Sequence, residues 1–378
     1  LSDVSSNPIL RICVNNTLCP AYVVNNQHRF FNRWQALQFA SKHNTRDVKF
    51  DLWNDVFSKQ CWTKNPELSW ESLMDLRVKQ LEATGRPLVL LFSGGTDSYT
   101  IYQTFCRNNV HIHGLATKRR KDWKYANHTA DWVKENHPDP TTKFISVEND
   151  DQIDSMYTNP YFITDRVNTY NFGWDIIEER MFSKIREEFK DPIIIMGLEK
   201  PRLILENGHW YSACVDLLFT HVFPPNDVEM FYITPDLPEL HIKQCWMLKT
   251  WLENSGHTLT DDFVTQDLYN PNKVDYYDFA WACGRIGDLS NSRGEKISNW
   301  ETKIYIDPTN IKNSYMVGRG SETFNQGLVA GNTAVLNYIR GHRMMLEPGV
   351  LEDHWKQKMV GIITDRFYMG SMCSLEKL

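Results

Sequence analysis

The chain has 378 residues, 42% hydrophobic and 23% charged, with a formal net charge of −6. That balance fits a globular protein with a sizeable core, excludes a disordered chain, and leaves no global electrostatic footprint for nucleic acid. Its length accommodates one large domain or two ordinary ones.

The eight cysteines, at positions 13, 19, 61, 106, 214, 245, 283 and 373, form no C-x-x-C pair. That spacing supports neither a zinc ribbon nor a thioredoxin-like redox motif, and it suits reduced thiols in a core. The first thirty residues carry no apolar signal core, and no apolar run approaches membrane-spanning length. A cytoplasmic protein without a membrane partner is therefore expected. The 13 Trp, 16 Tyr and 19 Phe serve dense packing as readily as base stacking.

In chain order, residues 1 to 30 read as short strands, Leu10 to Val14 and Ala21 to Val24, the second turning at Asn25-Asn26 into His28 to Phe31. Asn32 suits an N-cap for a helix over Arg33 to Lys42. Asp51 to Phe57 and Trp70 to Glu82 read as helices, the second stopping at Thr84-Gly85-Arg86-Pro87. Residues 1–85 thus form a small α+β lobe, with no glutamine amidohydrolase signature and no N-terminal cysteine nucleophile.

From residue 86 strand and helix alternate, the mark of a doubly wound parallel sheet in the α/β class. Leu88 to Phe92 is an apolar run bounded by Pro87 and Gly94, a strand buried on both faces. Ser98 to Cys106 has helical spacing. His111 to Ala116 and Lys143 to Val147 are the next strands, with a helix over Asp122 to Asn136 between them. Trp174 to Phe189 is a helix, Pro192 to Met196 a strand, and Phe231 to Thr234 a last strand, closing a domain over 86–235. Residues 236–378 read as mainly helical (Leu240 to Leu252, Asn332 to Arg343, Leu351 to Tyr368).

The turn between the first buried strand and its helix places backbone N–H groups and a helix dipole at the carboxyl edge of the sheet, an arrangement that binds phosphate. It is neither a Walker A loop nor a G-x-G-x-x-G fingerprint. The string Ser93-Gly94-Gly95-Thr96-Asp97-Ser98 resembles the S-G-G-x-D-S signature of the PP-loop (N-type) ATP pyrophosphatases, a superfamily that includes the synthetase domain of asparagine-synthetase-like enzymes. The resemblance implies the adenine nucleotide alpha hydrolase type of sheet. It also implies cleavage of ATP to AMP and pyrophosphate, with adenylylation of a substrate oxygen. Five specified letters within 93–98 carry it, and it extends over about 86–235.

Asp97 would be repelled by bare phosphate, so its place in the loop points to a bridging Mg²⁺. The family roles assign Ser93, Gly95, Asp97 and Ser98 to pyrophosphate and metal, with Gly94 and Thr96, the position at which the family varies, in the same nucleotide-binding loop; ordinary helix capping is the bland reading of Asp97 and Ser98. The backbone at Ala116 and Thr117 would lie by the adenine edge. After the Pro192 to Met196 strand, Gly197 and then Glu199 partly match the glycine-and-acid pattern of related synthetases. Glu199 would join the metal, and Lys200 or Arg202 would neutralise charge on the α-phosphate; a mixed-charge surface loop is the alternative. The run Lys118-Arg119-Arg120-Lys121 suits phosphates of ATP or of nucleic acid, or a solvated helix start. His111 and His113, two apart on a strand, read as packing before a metal pair.

These observations lead to a ligase that forms AMP and pyrophosphate and joins nitrogen to an activated oxygen site on a small-molecule substrate, with ATP and Mg²⁺. The substrate loops would lie at 148–171 and 283–296, the latter with Arg285, Arg293 and Lys296. The alternatives are a sulfonucleotide reductase, a tRNA- or nucleobase-modifying PP-loop enzyme, and a nucleotide-sensing module without turnover.

Overall fold

The computed structural model describes residues 20–30, 36, 39–40, 43, 45, 47–119, 130–131, 133–148, 172–197, 201–214, 227–254, 256, 259, 263–264 and 363–372. Its centre is a five-stranded parallel sheet. In chain order the strands are β4 (Leu88–Leu91), β5 (Gly114–Arg119), β6 (Lys143–Glu148), β7 (Ile193–Met196) and β10 (Val228–Met230). They lie side by side as β10-β7-β4-β5-β6. The strand that comes first in the chain is therefore in the middle, and the order reverses between β4 and β7. In open parallel sheets a crevice for ligands opens at the carboxyl ends where the order reverses.

Alternate side chains of these strands go to opposite faces, as the period of two requires. Leu88, Leu90, Phe92, Ile193 and Ile195 join one core, which they share with α2 (Trp70–Glu82), α3 (Thr96–Arg107) and α5 (Pro238–Asn254). Val89, Ala116, Ile194 and Met196 pack on the other face against Met181, Phe182 and Ile185 of α4 (Phe172–Glu188). Helices on both faces explain why the strands are apolar without alternation. This is the α/β class expected.

The smaller region before residue 86 contains β1 (Ala21–Val24), β2 (His28–Phe30), β3 (Val48–Asp51) and the one-turn helix α1 (Asn54–Phe57), with sheet order β2-β1-β3. Asn25 and Asn26 turn β1 into β2 with φ of 52° and 56°, the left-handed region that asparagine tolerates. The expected helix over Asp51 to Phe57 is corrected: Asp51 ends a strand, Trp53 turns at φ 55°, and only Asn54–Phe57 is helical. The alternation of Val48 and Phe50, both buried, with half-buried Lys49 and Asp51 is a strand period.

Three further expectations are corrected. The second buried strand is Gly114–Arg119 and does not begin at His111. His113, just before the strand, meets the first residue of β4 twice: its N–H donates to the Leu88 carbonyl at 2.9 Å, and its Nδ1 accepts from Leu88 N at 3.1 Å. The strand starts at Gly114, opposite Val89 and Lys143, where a Cβ would meet the Phe189 ring at 2.9 Å. The last parallel strand is Val228–Met230 and not Phe231 to Thr234, because its partner β7 ends at Met196, opposite Met230. Finally, a second, four-stranded antiparallel sheet is present among the described residues. It joins β8 (Leu203–Glu206) and β9 (His209–Ser212) to β11 (Phe263–Val264) and β12 (Phe367–Ser371). The helix expected over Leu351 to Tyr368 is therefore wrong at its end, where Phe367 and Tyr368 pair in register with Ser212 and Tyr211.

The β8–β9 hairpin turns at Asn207-Gly208, with φ of 51° and 72° and Glu206 opposite His209. An Asn-Gly pair between strand-like runs is the strongest short-range hairpin signal, so this element was recoverable from sequence. The helix over Arg33 to Lys42 is described only at 36 and 39–40, and that over Asp122 to Asn136 only at 130–131 and 133–136; all of these residues are helical. Leu10 to Val14 and Asn332 to Arg343 lie outside the described residues.

Candidate functional site

The stretch Ser93 to Ser98 lies on the turn from β4, the middle strand, into α3. Phe92 fixes the point of departure: its N–H donates to the Ala116 carbonyl at 2.8 Å, and its own carbonyl accepts from Thr117 Oγ1 at 2.9 Å. Gly94 then turns with φ of 77°, which an L side chain enters only with strain. Gly95 is the N-cap of α3, in an extended conformation and with no side chain to cap the helix. Ser93 takes over part of that role. Gly95 N donates to Ser93 Oγ at 3.2 Å, and the Ser93 and Ser98 hydroxyls are 3.2 Å apart. Ser98 Oγ also donates to the Gly95 carbonyl at 3.2 Å.

These contacts tie both hydroxyls to the turn at the positive end of the α3 dipole, where an anion is stabilised. Ser93 is exposed and Ser98 buried, so the loop has an open side and an anchored side. Thr96 is the first residue of α3, and Asp97, half-buried, supplies an acidic group in its first turn. For Mg²⁺ the donor chemistry fits: a carboxylate and two hydroxyls are hard oxygen donors, and this ion keeps several waters and shares itself with phosphate. Among the described residues no group of three or more His, Cys, Asp or Glu is placed to hold a metal ion.

Gly197 follows β7 and packs directly on the start of α3. A Cβ there would fall 2.7 Å from Ile101 Cδ1 and 3.5 Å from the Asp97 carbonyl carbon and Ser98 N. The missing side chain lets the end of β7 approach the first turns of α3. Ala116 and Thr117 are not past the end of the second strand but inside it, where both bond to Phe92. They hold the loop's base. Arg202 is buried just before β8, and its carbonyl accepts from Ala213 N at 3.2 Å, within the antiparallel sheet. Glu199 and Lys200 lie outside the described residues, as do residues 149–171 and 283–296.

Of the basic run, Lys118 and Arg119 end β5, with Arg119 paired to Asp131; Arg120 and Lys121 lie outside the described residues. The pair His111 and His113 is at the opposite, amino-terminal edge of the sheet. Their rings are 4.3 Å apart, His111 Nδ1 lies 2.7 Å from Asp139 Oδ2, and His113 Nδ1 accepts from Leu88 N at 3.1 Å. Burial holds the His113 imidazole below its ordinary pKa, with His111 adding to this and Asp139 opposing it. Each ring of the pair thus has a hydrogen-bond partner within the protein.

One neighbour of the loop is not foreshadowed by any motif. Tyr232, just past β10, donates its hydroxyl to the Asp97 carbonyl at 2.7 Å. The sequence places it inside the expected strand Phe231 to Thr234, and only the end of β10 at Met230 frees it to reach the loop.

No family model matches the chain, and no curated protein matches it. Solved structures that match include an NAD+ synthetase from Burkholderia pseudomallei, at 11% identity and a TM-score of 0.23, covering 38% of this chain and 68% of that one. A likeness at that score carries no weight for fold or activity.

Proposed function

We propose that the chain is an ATP pyrophosphatase of the PP-loop kind, with the adenine nucleotide alpha hydrolase type of sheet, that forms AMP and pyrophosphate while activating an oxygen of a small-molecule acceptor. The observation that supports this reading is the position of Ser93-Gly94-Gly95-Thr96-Asp97-Ser98, on the turn from the middle strand of a parallel sheet at the point where strand order reverses.

In this reading the amides of the glycine turn and the hydroxyls of Ser93 and Ser98 receive the β- and γ-phosphates, and the α3 dipole stabilises the charge that grows on pyrophosphate as it leaves. Asp97, with Glu199, would hold Mg²⁺, which when bound neutralises phosphate charge. Lys200 or Arg202 would face the α-phosphate. The acceptor oxygen displaces pyrophosphate at the α-phosphorus, and a nitrogen nucleophile then displaces AMP, forming a carbon–nitrogen bond. The protein's part is alignment and charge stabilisation rather than covalent chemistry.

The test is release of pyrophosphate and AMP in equal amounts from ATP and Mg²⁺ in the presence of a pool of candidate acceptors and an ammonium salt as the nitrogen source. Asp97→Asn is expected to abolish AMP formation with the circular dichroism and melting temperature retained. Formation of ADP and inorganic phosphate, or wild-type AMP formation by Asp97→Asn, would sink the reading. A module that only senses nucleotide would bind ATP and yield neither product.

A further inference from the structure

Resting on the ATP reading above, we propose that Tyr232 is a positioning residue for the phosphate loop, held in place by α2. The Asp97 carbonyl that accepts its hydroxyl at 2.7 Å shares one peptide plane with the Ser98 N–H. Fixing that plane sets the direction in which the Ser98 amide points and the Cα from which the Asp97 carboxylate projects. The same peptide is flanked from a second side by Gly197, whose Cβ would lie 3.5 Å from both of its central atoms. The start of α3 is thus set by the ends of two neighbouring strands, β7 and β10.

Tyr232 is well built to deliver a hydroxyl to one place. It is fully buried, its ring lies parallel to Trp70 (9°, centroids 6.1 Å apart) and edge-on to Phe231 (77°, 5.2 Å). With two side-chain torsions, both walled by rings, it loses little entropy in forming the bond. The segment around it is gripped by Arg77, whose guanidinium donates to Glu229 at 2.8 Å and to the Met230 carbonyl at 3.0 Å, and lies 3.8 Å from Asp236. Trp70 and Arg77 are seven residues apart on α2, two turns along one face. One helix from the N-terminal region therefore holds both ends of the 229–236 segment and the ring between them. The hydroxyl of that ring reaches the loop.

Tyr232→Phe removes one oxygen and keeps the stack. In the ligand-free protein, amide exchange at Ser98 to Ile101 is expected to quicken by about tenfold, the worth of one neutral hydrogen bond, with exchange along α2 unchanged. In the pyrophosphate assay KM for ATP is expected to rise by about five- to tenfold with kcat within about twofold, since the change falls on binding of the phosphates. Unchanged exchange at 98–101, or faster exchange throughout the molecule with a lower melting temperature and an unchanged KM, would overturn the proposal. Wild-type protein that neither binds nor cleaves ATP would sink the ATP reading instead, and the exchange contrast alone would then decide the role of Tyr232.

Discussion

Single atoms decide most at Gly94 and Gly197, two glycines that act for different reasons. Gly94 has φ of 77°, so Gly94→Ala should destabilise by about 1–2 kcal/mol through left-handed backbone alone, and should disturb the loop more than it disturbs the fold. The melting temperature measures the first effect and ATP binding the second. Gly197 needs no unusual backbone; it needs space. An alanine methyl there would meet Ile101 Cδ1 at 2.7 Å, and Ile101 is fully buried. Gly197→Ala should therefore cost about 1–3 kcal/mol by overpacking. Ile101→Val, which deletes the opposing methyl, should recover part of that cost in the double variant. Additive losses in the double-mutant cycle would contradict the contact. The glycine at 94 was readable in the sequence from its place between a buried strand and a helix. The reason for the glycine at 197 was not, because its opponent lies on another element 96 residues away.

Between elements, the joints are polar and buried. Arg77 is 2% exposed and connects α2 to β10 through Glu229. Burial pushes the Glu229 carboxyl up, and Arg77 pulls it part of the way back. An acid raised in the folded state stabilises at low pH and loses that contribution as pH rises through its raised value, so the pair is not at its most favourable at neutrality. Breaking it is worse: Arg77→Met should cost about 3–5 kcal/mol, because Glu229 is left buried without its cation. His113 works with the opposite sign. Its Nδ1 accepts from Leu88 N, capping the start of the middle strand, and its pKa lies below 6.5. The unfolded state then binds the proton more readily, so stability is complete above about pH 6.5 and falls as pH drops through the folded value. The groups around it are His111, Asp139, which Thr141 and His111 hold down to about 2, and His137, which burial also holds low. His113→Asn, whose amide oxygen can stand where Nδ1 does, should flatten part of the loss in melting temperature between pH 7 and 5. An unchanged pH profile would show that His113 has no part in that loss.

The larger of the two cores runs from Tyr22 and Phe50, through Trp62, Trp70 and one face of the sheet, to Phe367 and Met369. Trp62 and Phe367 stack at 4.6 Å with their planes 2° apart, and Phe50 N donates to the Ile363 carbonyl at 3.0 Å. The region near the start of the chain is thus closed by a strand from near its end. Phe367→Ala should lower stability by about 3–5 kcal/mol. Tryptophan fluorescence and far-ultraviolet circular dichroism should report the same urea midpoint in that variant and in the wild type. Earlier loss of the fluorescence signal alone would show that residues 20–57 unfold apart from the sheet.

By itself the sequence determined the parallel sheet, the helix α2 to the residue, and the glycine turn at 93–98, because each is a local pattern: an apolar run, a helical period stopped at Thr84 to Pro87, a turn between a strand and a helix. The Asn207-Gly208 hairpin carries a local signal of the same kind, although Leu203 to Glu206 and His209 to Ser212 are not among the strands expected from sequence. Only the tertiary structure decided that Phe231 to Thr234 continues past its partner strand, that Phe367 to Ser371 is a strand and not a helix end, and that Tyr232 reaches Asp97. Those outcomes depend on where a neighbouring strand stops and on what lies across a core from a residue more than a hundred positions away. No period within a single segment records such distances.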